Sequence, residues 1–191
     1  MARESVRGRL LVAAPSLTDP NFERSVVLVL EHTVGGAFGL VLDRATDLDL
    51  EGPLVPWARL VADPLVLFHG GPVQPDAAFC LARLRAGVPT PPGCSPVGDT
   101  GIGVVDLDAD PFELLDSFDG ARIFIGYAGW SPGQLDAELR EEAWFVVDAA
   151  ADDIGGDKVA DFAVAEGLHD FRAHALGQVA VHHGDALDGL A

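Results

Sequence analysis

The chain has 191 residues, 49% hydrophobic and 22% charged, a balance that excludes global disorder and allows one core burying roughly 70% of the unfolded surface. Its formal charge is −18, with 8 basic against 11 acidic groups in residues 1–100 and 4 against 19 in residues 101–191, which opposes contact with phosphate backbones and anionic lipid. Cys80 and Cys94 are too few for a disulfide framework, and no apolar run reaches the ~18 residues of a spanning helix, so a single cytoplasmic α/β domain over residues 1–191 is expected.

Arg9 to Ala13 reads as a short strand closed by Pro15, with Thr18-Asp19-Pro20-Asn21 as loop chemistry behind it. Val26 to Leu30 and Phe38 to Leu42 are continuous apolar runs on either side of Gly35-Gly36, the pattern of a hairpin covered on both faces. A short helix is expected between Leu50 and Leu60, with Pro53 and Pro56 restricting its start. Leu65 to Phe68 is a strand that stops at Gly70-Gly71-Pro72, with Ala77 to Leu84 as its antiparallel partner, and the Pro- and Gly-rich stretch 87–98 is a loop.

Gly103 to Val105 continues the sheet pattern, and Pro111 to Phe118 has the spacing of a short helix with Pro near its first turn. Arg122 to Tyr127 is a strand. Ser131-Pro132-Gly133-Gln134 then matches a capping box, with Ser at the N-cap and Gln reaching back to the cap amide. Leu135 and Leu139 give that helix an apolar stripe, with Asp136, Glu138 and Glu141 expected to face water, and Trp144 to Val147 returns as a strand. Further on, a helix at Lys158 to Glu166 and a strand at Gln178 to Val181 are expected.

Several of these segments occur together and in order: Gly8-Arg9-Leu10-Leu11-Val12-Ala13, Phe22-Glu23-Arg24-Ser25-Val26, Gly36-Ala37-Phe38-Gly39-Leu40-Val41-Leu42, Gly70-Gly71-Pro72-Val73, and Gly126-Tyr127-Ala128-Gly129-Trp130 followed by Gly133-Gln134-Leu135, Glu138-Leu139 and Trp144. Over residues 8 to 147 the chain resembles the YqgE/AlgH family. The resemblance implies a mixed α/β (α+β) fold, a twisted and partly barrel-like β-sheet with flanking helices. It also implies the label of transcriptional regulator that the family carries, a family with no defined biochemical activity and no accepted catalytic residues. Asp43-Arg44-Ala45 stands where the family more often shows Asn-Arg-Pro, and His69 where an aromatic is common.

Each motif with chemical potential has a plainer competitor. His69-Gly70-Gly71-Pro72 is similar to an esterase oxyanion loop, but none of the six serines sits in a Gly-x-Ser-x-Gly elbow, and Gly-Gly-Pro is ordinary turn chemistry. Asp106, Asp108 and Asp110 occupy the first ligand positions of a calcium loop, yet Pro111 replaces the required glycine; a solvated acidic turn is preferred over a loose cation site. His169, His174, His182 and His183 fit no metal-ligand spacing, so no metal and no cofactor is expected. Glu23-Arg24-Ser25 reads first as an ion pair ordering the Asp19-Pro20 loop.

The Tyr127 to Gln134 junction leaves a strand and enters a capped helix, a setting where amides and aromatic faces can line a pocket. The candidate ligand-binding residues are therefore Glu23, Arg24, Ser25, His32, Gly70, Gly71, Tyr127, Gly129, Trp130, Ser131 and Gln134. The expected function is non-catalytic binding of a small molecule or another protein with a regulatory outcome, without direct nucleic-acid or membrane binding. The alternative is a small-molecule enzyme built around Glu23, Arg24, His32 and the Tyr127 to Gln134 junction.

Overall fold

The structure is a computed structural model whose described residues run from 5 to 154. The expected strand at Arg9–Ala13 (β1) forms, and the one expected at Val26 to Leu30 forms and runs on as Val26–Thr33 (β2); every side chain from Val26 to Leu30 is buried, alternating between two hydrophobic clusters. β2 turns at Val34-Gly35 into Gly36–Val41 (β3), so the hairpin is tighter than the apolar runs alone suggest. Glu31, His32 and Thr33 extend the strand because Phe38, Ala37 and Gly36 pair with them beyond a bulge.

Ala45–Asp49 (β4) lacks apolar alternation and has no strand signal of its own; pairing with Val66–His69 (β5) creates it. The expected helix between them is a 3-10 helix over Gly52–Arg59, where Pro56 removes an amide that an α-helix would use, and it buries Trp57. Val73–Leu84 (β6), Cys94–Pro96 (β7), Ile102–Val105 (β8) and Phe118–Trp130 (β9) follow. β7 falls inside the 87–98 stretch expected to be loop, drawn into the sheet by β8.

β9 is flanked by β5 in parallel at Phe68↔Phe124 and by β6 in antiparallel at Phe79↔Phe124. The expected antiparallel pairing of 65–68 with 77–84 is therefore replaced: both strands pair with β9 from opposite sides, and Gly70-Gly71-Pro72 carries the chain across it. The 111–118 segment is a run of turns rather than a helix. Its bonds from Glu113 to Asp110, Leu114 to Pro111 and Ser117 to Leu114 span three residues, and Phe112 is left 54% exposed.

The helix Gln134–Arg140 (α1) begins after Gly133, whose φ of 72° makes the entering turn, later than the Ser131 cap expected from sequence. Half of the capping box is present: the Ser131 amide donates to Gln134 Oε1 at 3.0 Å, while the Ser131 hydroxyl makes no cap bond. So short a helix has little intrinsic stability, and burial of Leu135 and Leu139 supplies about 1.5–3 kcal/mol each. Trp144–Asp148 (β10) returns to pair with β1.

The sheet order is β10-β1-β2-β3-β9-β6-β8-β7, curled into a half-barrel, with β4 and β5 off that path; this is the twisted, partly barrel-like sheet with flanking helices that was expected. One cluster, including Leu28, Leu40, Phe68, Leu81, Phe124 and Ile154, occupies the face shared by both halves of the sheet. A second lies under α1 and a third under the 3-10 helix. Cys80 and Cys94 both register with Val105 from opposite sides of β8, two strand spacings or about 10 Å apart, too far for a disulfide. Burial pushes the Cys80 thiol up to about 12, with Cys94 adding to it. The expected elements at 158–166 and 178–181 and the four late histidines lie outside the described residues.

Candidate functional site

The firmest convergence of predicted residues lies beneath α1. Trp130 closes β9 and Trp144 opens β10, their rings meeting edge-on at 6.1 Å between centroids, while Phe22 stacks on the first at 6.2 Å and meets the second edge-on at 5.9 Å. Glu138, expected to face water, turns inward instead. Its Oε2 accepts from both indole Nε1 atoms at 2.8 Å, and its Oε1 accepts from Gln134 Nε2 at 3.0 Å. The reason is local geometry: Glu138 lies one turn beyond Gln134 on the helix, above two indole donors that burial would otherwise leave without acceptors.

His32 shares this side of the sheet. Its Nδ1 accepts from the Val6 amide at 3.2 Å, which leaves Nε2 facing Asp136 Oδ1 of α1 at 3.9 Å. Tyr127 does not join them. Its ring packs edge-on against Phe38 and Phe79 at 5.4 and 5.8 Å in the cluster on the other face, so the Tyr127 to Gln134 junction is divided between two faces of one sheet. Gly129 and Ser131 are exposed between them.

Glu23 and Arg24 are exposed, and among the described residues neither takes part in an ion pair, contrary to the expected charge pair. Arg44 orders that loop instead, donating to the Pro20 and Glu23 carbonyls at 3.3 and 3.1 Å, while Asp19 O accepts from the Phe22 and Glu23 amides. Arg24 adopts a left-handed φ of 57° and turns the chain into β2, where Ser25 is buried with its hydroxyl donating to Phe22 O at 2.7 Å.

Gly70 and Gly71 are occupied by the crossing over β9. The Gly70 amide donates to Ile125 O and its carbonyl accepts from the Val41 amide, both at 2.8 Å, so this amide is not free for an oxyanion. In the acidic turn, Asp106 Oδ1 accepts from the Asp108 amide and Asp110 Oδ1 from the Phe112 amide, each at 2.9 Å. Among the described residues no group of three His, Cys, Asp or Glu side chains is placed to hold a metal ion. An open groove of about 400 Å³ lies elsewhere, where Arg7 and Arg9 meet the Gly98-Asp99-Thr100 turn and Asp148.

The sequence marks Asp43 only as a departure from the family's Asn, because its role is made by the fold: its carboxylate accepts from the Val26 amide at 3.1 Å at the mouth of β2. Burial raises its pKa, partly offset by that amide. A raised folded value means that stability is complete below the unfolded pKa and declines as pH rises through the folded one. Asp43→Asn keeps the acceptor and removes the charge. It is expected to melt above the parent at about pH 7, with the difference closing on acidification toward about pH 4; thermal melts across that range check it.

The chain is similar over its sequence and its fold to proteins that carry one family description. The AlgH-like family model matches residues 10–163. A UPF0301 protein of Streptomyces coelicolor is 48% identical over 153 residues, covering 78% of this chain and 79% of that one. The crystal structure of a Corynebacterium diphtheriae protein superposes with a TM-score of 0.76 at 32% identity, over 81% of this chain and 82% of that chain. The solution structure of the AlgH protein from Pseudomonas aeruginosa gives 0.64 at 28% identity over the full length of both.

Proposed function

The chain belongs to the AlgH-like family, and from that premise we propose that it is a cytoplasmic protein acting by binding a small molecule or another protein, with regulation as the outcome rather than catalysis. The observation that carries this reading is how Glu138 is used. This carboxylate, on the helix that leaves the predicted junction, accepts from two indoles and an amide, and Tyr127 faces away from it. Three accepted hydrogen bonds use most of the lone pairs of that carboxylate, which favours a structural role over that of a general base. Among the described residues no helix is long and apolar enough to cross a membrane.

Native mass spectrometry of the protein purified from its source cytosol, combined with hydrolase, transferase and redox substrate panels, tests the reading. Co-purifying small-molecule or protein adducts without turnover are expected. Turnover abolished by His32→Ala or Glu23→Gln with the fold intact would replace it with the enzyme alternative.

Direct control of DNA is not part of this proposal. Among the described arginines, Arg9, Arg83 and Arg85 pair with Asp148, Asp152 and Asp119, Arg7 and Arg44 are held by carbonyls and Arg122 is buried, while Arg24, Arg59 and Arg140 lie on three separate segments rather than along one basic stripe. Fluorescence-anisotropy titrations with duplex DNA at about 150 mM salt are expected to show no saturation up to about 10 μM protein. Sequence-selective binding below micromolar protein would restore direct transcriptional control.

A further inference from the structure

Arg122 is the least expected side chain of β9. It is 4% exposed, and with Ser25 it makes up the buried polar residues of the described chain. Ser25 is satisfied by Phe22 O, whereas Arg122 is not. Its guanidinium carbon lies 4.0 Å from the centre of the Phe68 ring, its Nε is sealed from solvent without an acceptor, and among the described residues no carboxylate or carbonyl engages it. Attraction to an aromatic face offsets only part of the desolvation of a cation. Burial lowers the Arg122 pKa to about 10, which still leaves it charged at neutral pH.

The strand register sets a second arginine beside it. On β6, Leu81 stands opposite Arg122 and Arg83 stands opposite Gly120, so Arg83 and Arg122 are diagonal neighbours on the same face of adjacent antiparallel strands. On the β9 side no side chain stands opposite Arg83, whereas on the other side Ile102 of β8 does. Its Nη1 donates to Asp152 Oδ1 at 3.1 Å and its Nη2 to Asp119 O at 2.9 Å, while its Nε is also buried without an acceptor. Among the described residues, the carboxylate that contacts this pair of guanidinium groups is that of Asp152. The Asp152 side chain is 61% exposed on the short 3-10 turn Ala151–Asp153, and exposed pairs of this kind are weak and exchangeable.

We propose that Arg83 and Arg122 form a binding site for an oxyanion, the carboxylate or phosphate group of a small molecule, and that Asp152 holds the ligand's place at Arg83 in the free protein. Guanidinium donors in a fixed fork match either group, and the Phe68 ring lies 4.0 Å from the carbon of one fork. Among the described residues Arg122 has no counter-charge, and a cation buried on those terms is retained at the expense of stability. The proposal rests on the binding reading above and names the ligand class for it.

Thermal melts and arginine Nε–Hε NMR of the full chain, titrated with inorganic phosphate and separately with benzoate at matched ionic strength, test the site. The wild type is expected to show a saturable rise in melting temperature and a shift of the Arg122 resonance with at least one of the two anions. Benzoate alone would assign a carboxylate, phosphate alone a phosphate. Arg122→Met is expected to melt higher than the wild type without anion and to lose the response. Asp152→Asn is expected to respond at about threefold or more lower anion concentration, because the internal competitor is gone. Arg122→Lys, which keeps the charge and loses the fork, is expected to respond at least about tenfold more weakly. No saturable response of the wild type to either anion at about 20 mM, or an unchanged response in Arg122→Met, would overturn the proposal. Failure of the anion titration beside retained adducts in native mass spectrometry rejects this site alone, whereas substrate turnover rejects the binding reading.

Discussion

Glu138→Leu is expected to lower stability by about 3–5 kcal/mol, because it strips the acceptor from two indole N–H groups at once and each buried unsatisfied donor costs roughly 1–3 kcal/mol, with charge-assisted bonds at the upper end. For a chain of this length that is a fall in melting temperature on the order of 10 °C. The damage is local in origin. Trp130 ends β9, Trp144 begins β10 and Glu138 sits on the helix between them, so one carboxylate holds three consecutive elements together. Glu138→Gln retains an acceptor oxygen for the indoles and should lose about half as much. Tryptophan fluorescence and near-UV circular dichroism during denaturant unfolding give the measurement, since Trp130 and Trp144 report from the site itself. A Glu138→Leu variant as stable as the parent would mean that the indoles find other acceptors and that the helix is held by Leu135 and Leu139 alone.

Gly71→Ala is expected to do more, leaving little folded protein. A Cβ on Gly71 would run into the Tyr127 backbone, and Gly71 itself has a φ of 150° that L-residues rarely adopt. The obstruction is backbone against backbone. Gly126, at φ 69°, meets the Gly71 carbonyl from the other side in the same way, so neither strand can give without breaking the pairing of β5, β6 and β9. Gly87→Ala provides the control: Gly87 also has a positive φ, of 78°, but nothing lies within 4 Å of the added carbon. That variant should lose only the conformational penalty, about 1–2 kcal/mol. Soluble yield and melting temperature of the two variants side by side decide the matter, and equal stability would show that the crossing at β9 is looser than the structure places it.

The crossing explains why part of this site was hidden in the sequence. Gly70-Gly71-Pro72 reads locally as a turn, and a turn followed by an apolar run reads as a hairpin; nothing in the segment says that β9, some fifty residues later, passes between its two ends. The conflict is resolved by non-local pairing. The same holds for Ala45–Asp49, whose exposed, acidic residues become a strand only because β5 offers an edge, and for the short β7. At 111–118 the helical spacing was real, but the three-residue bonds of a turn series prevailed and Phe112 came to rest under the Arg59 guanidinium at the surface.

The amino-acid sequence by itself determined what depends on neighbours along the chain. The buried runs at 9–13, 26–30 and 122–127 became strands because β-branched and aliphatic side chains fit a pleated surface covered on both sides. Helix 134–140 followed from the Gln134 contact to the Ser131 amide and the Leu135 and Leu139 stripe. The ordered motifs carried the family resemblance, and with it the half-barrel. What only the tertiary structure decided depends on which atoms meet across the sheet. It turned Glu138 from a solvent-facing helix residue into the acceptor for two indoles, sent Tyr127 and Trp130 to opposite faces, gave the work expected of Glu23 and Arg24 to Arg44, and set Arg122 beside Arg83 with the Phe68 ring against it. Periodicity tells which face of a strand a residue occupies relative to its own neighbours. The register between strands, and therefore the partner of each buried charge, is fixed by packing between segments far apart in the chain.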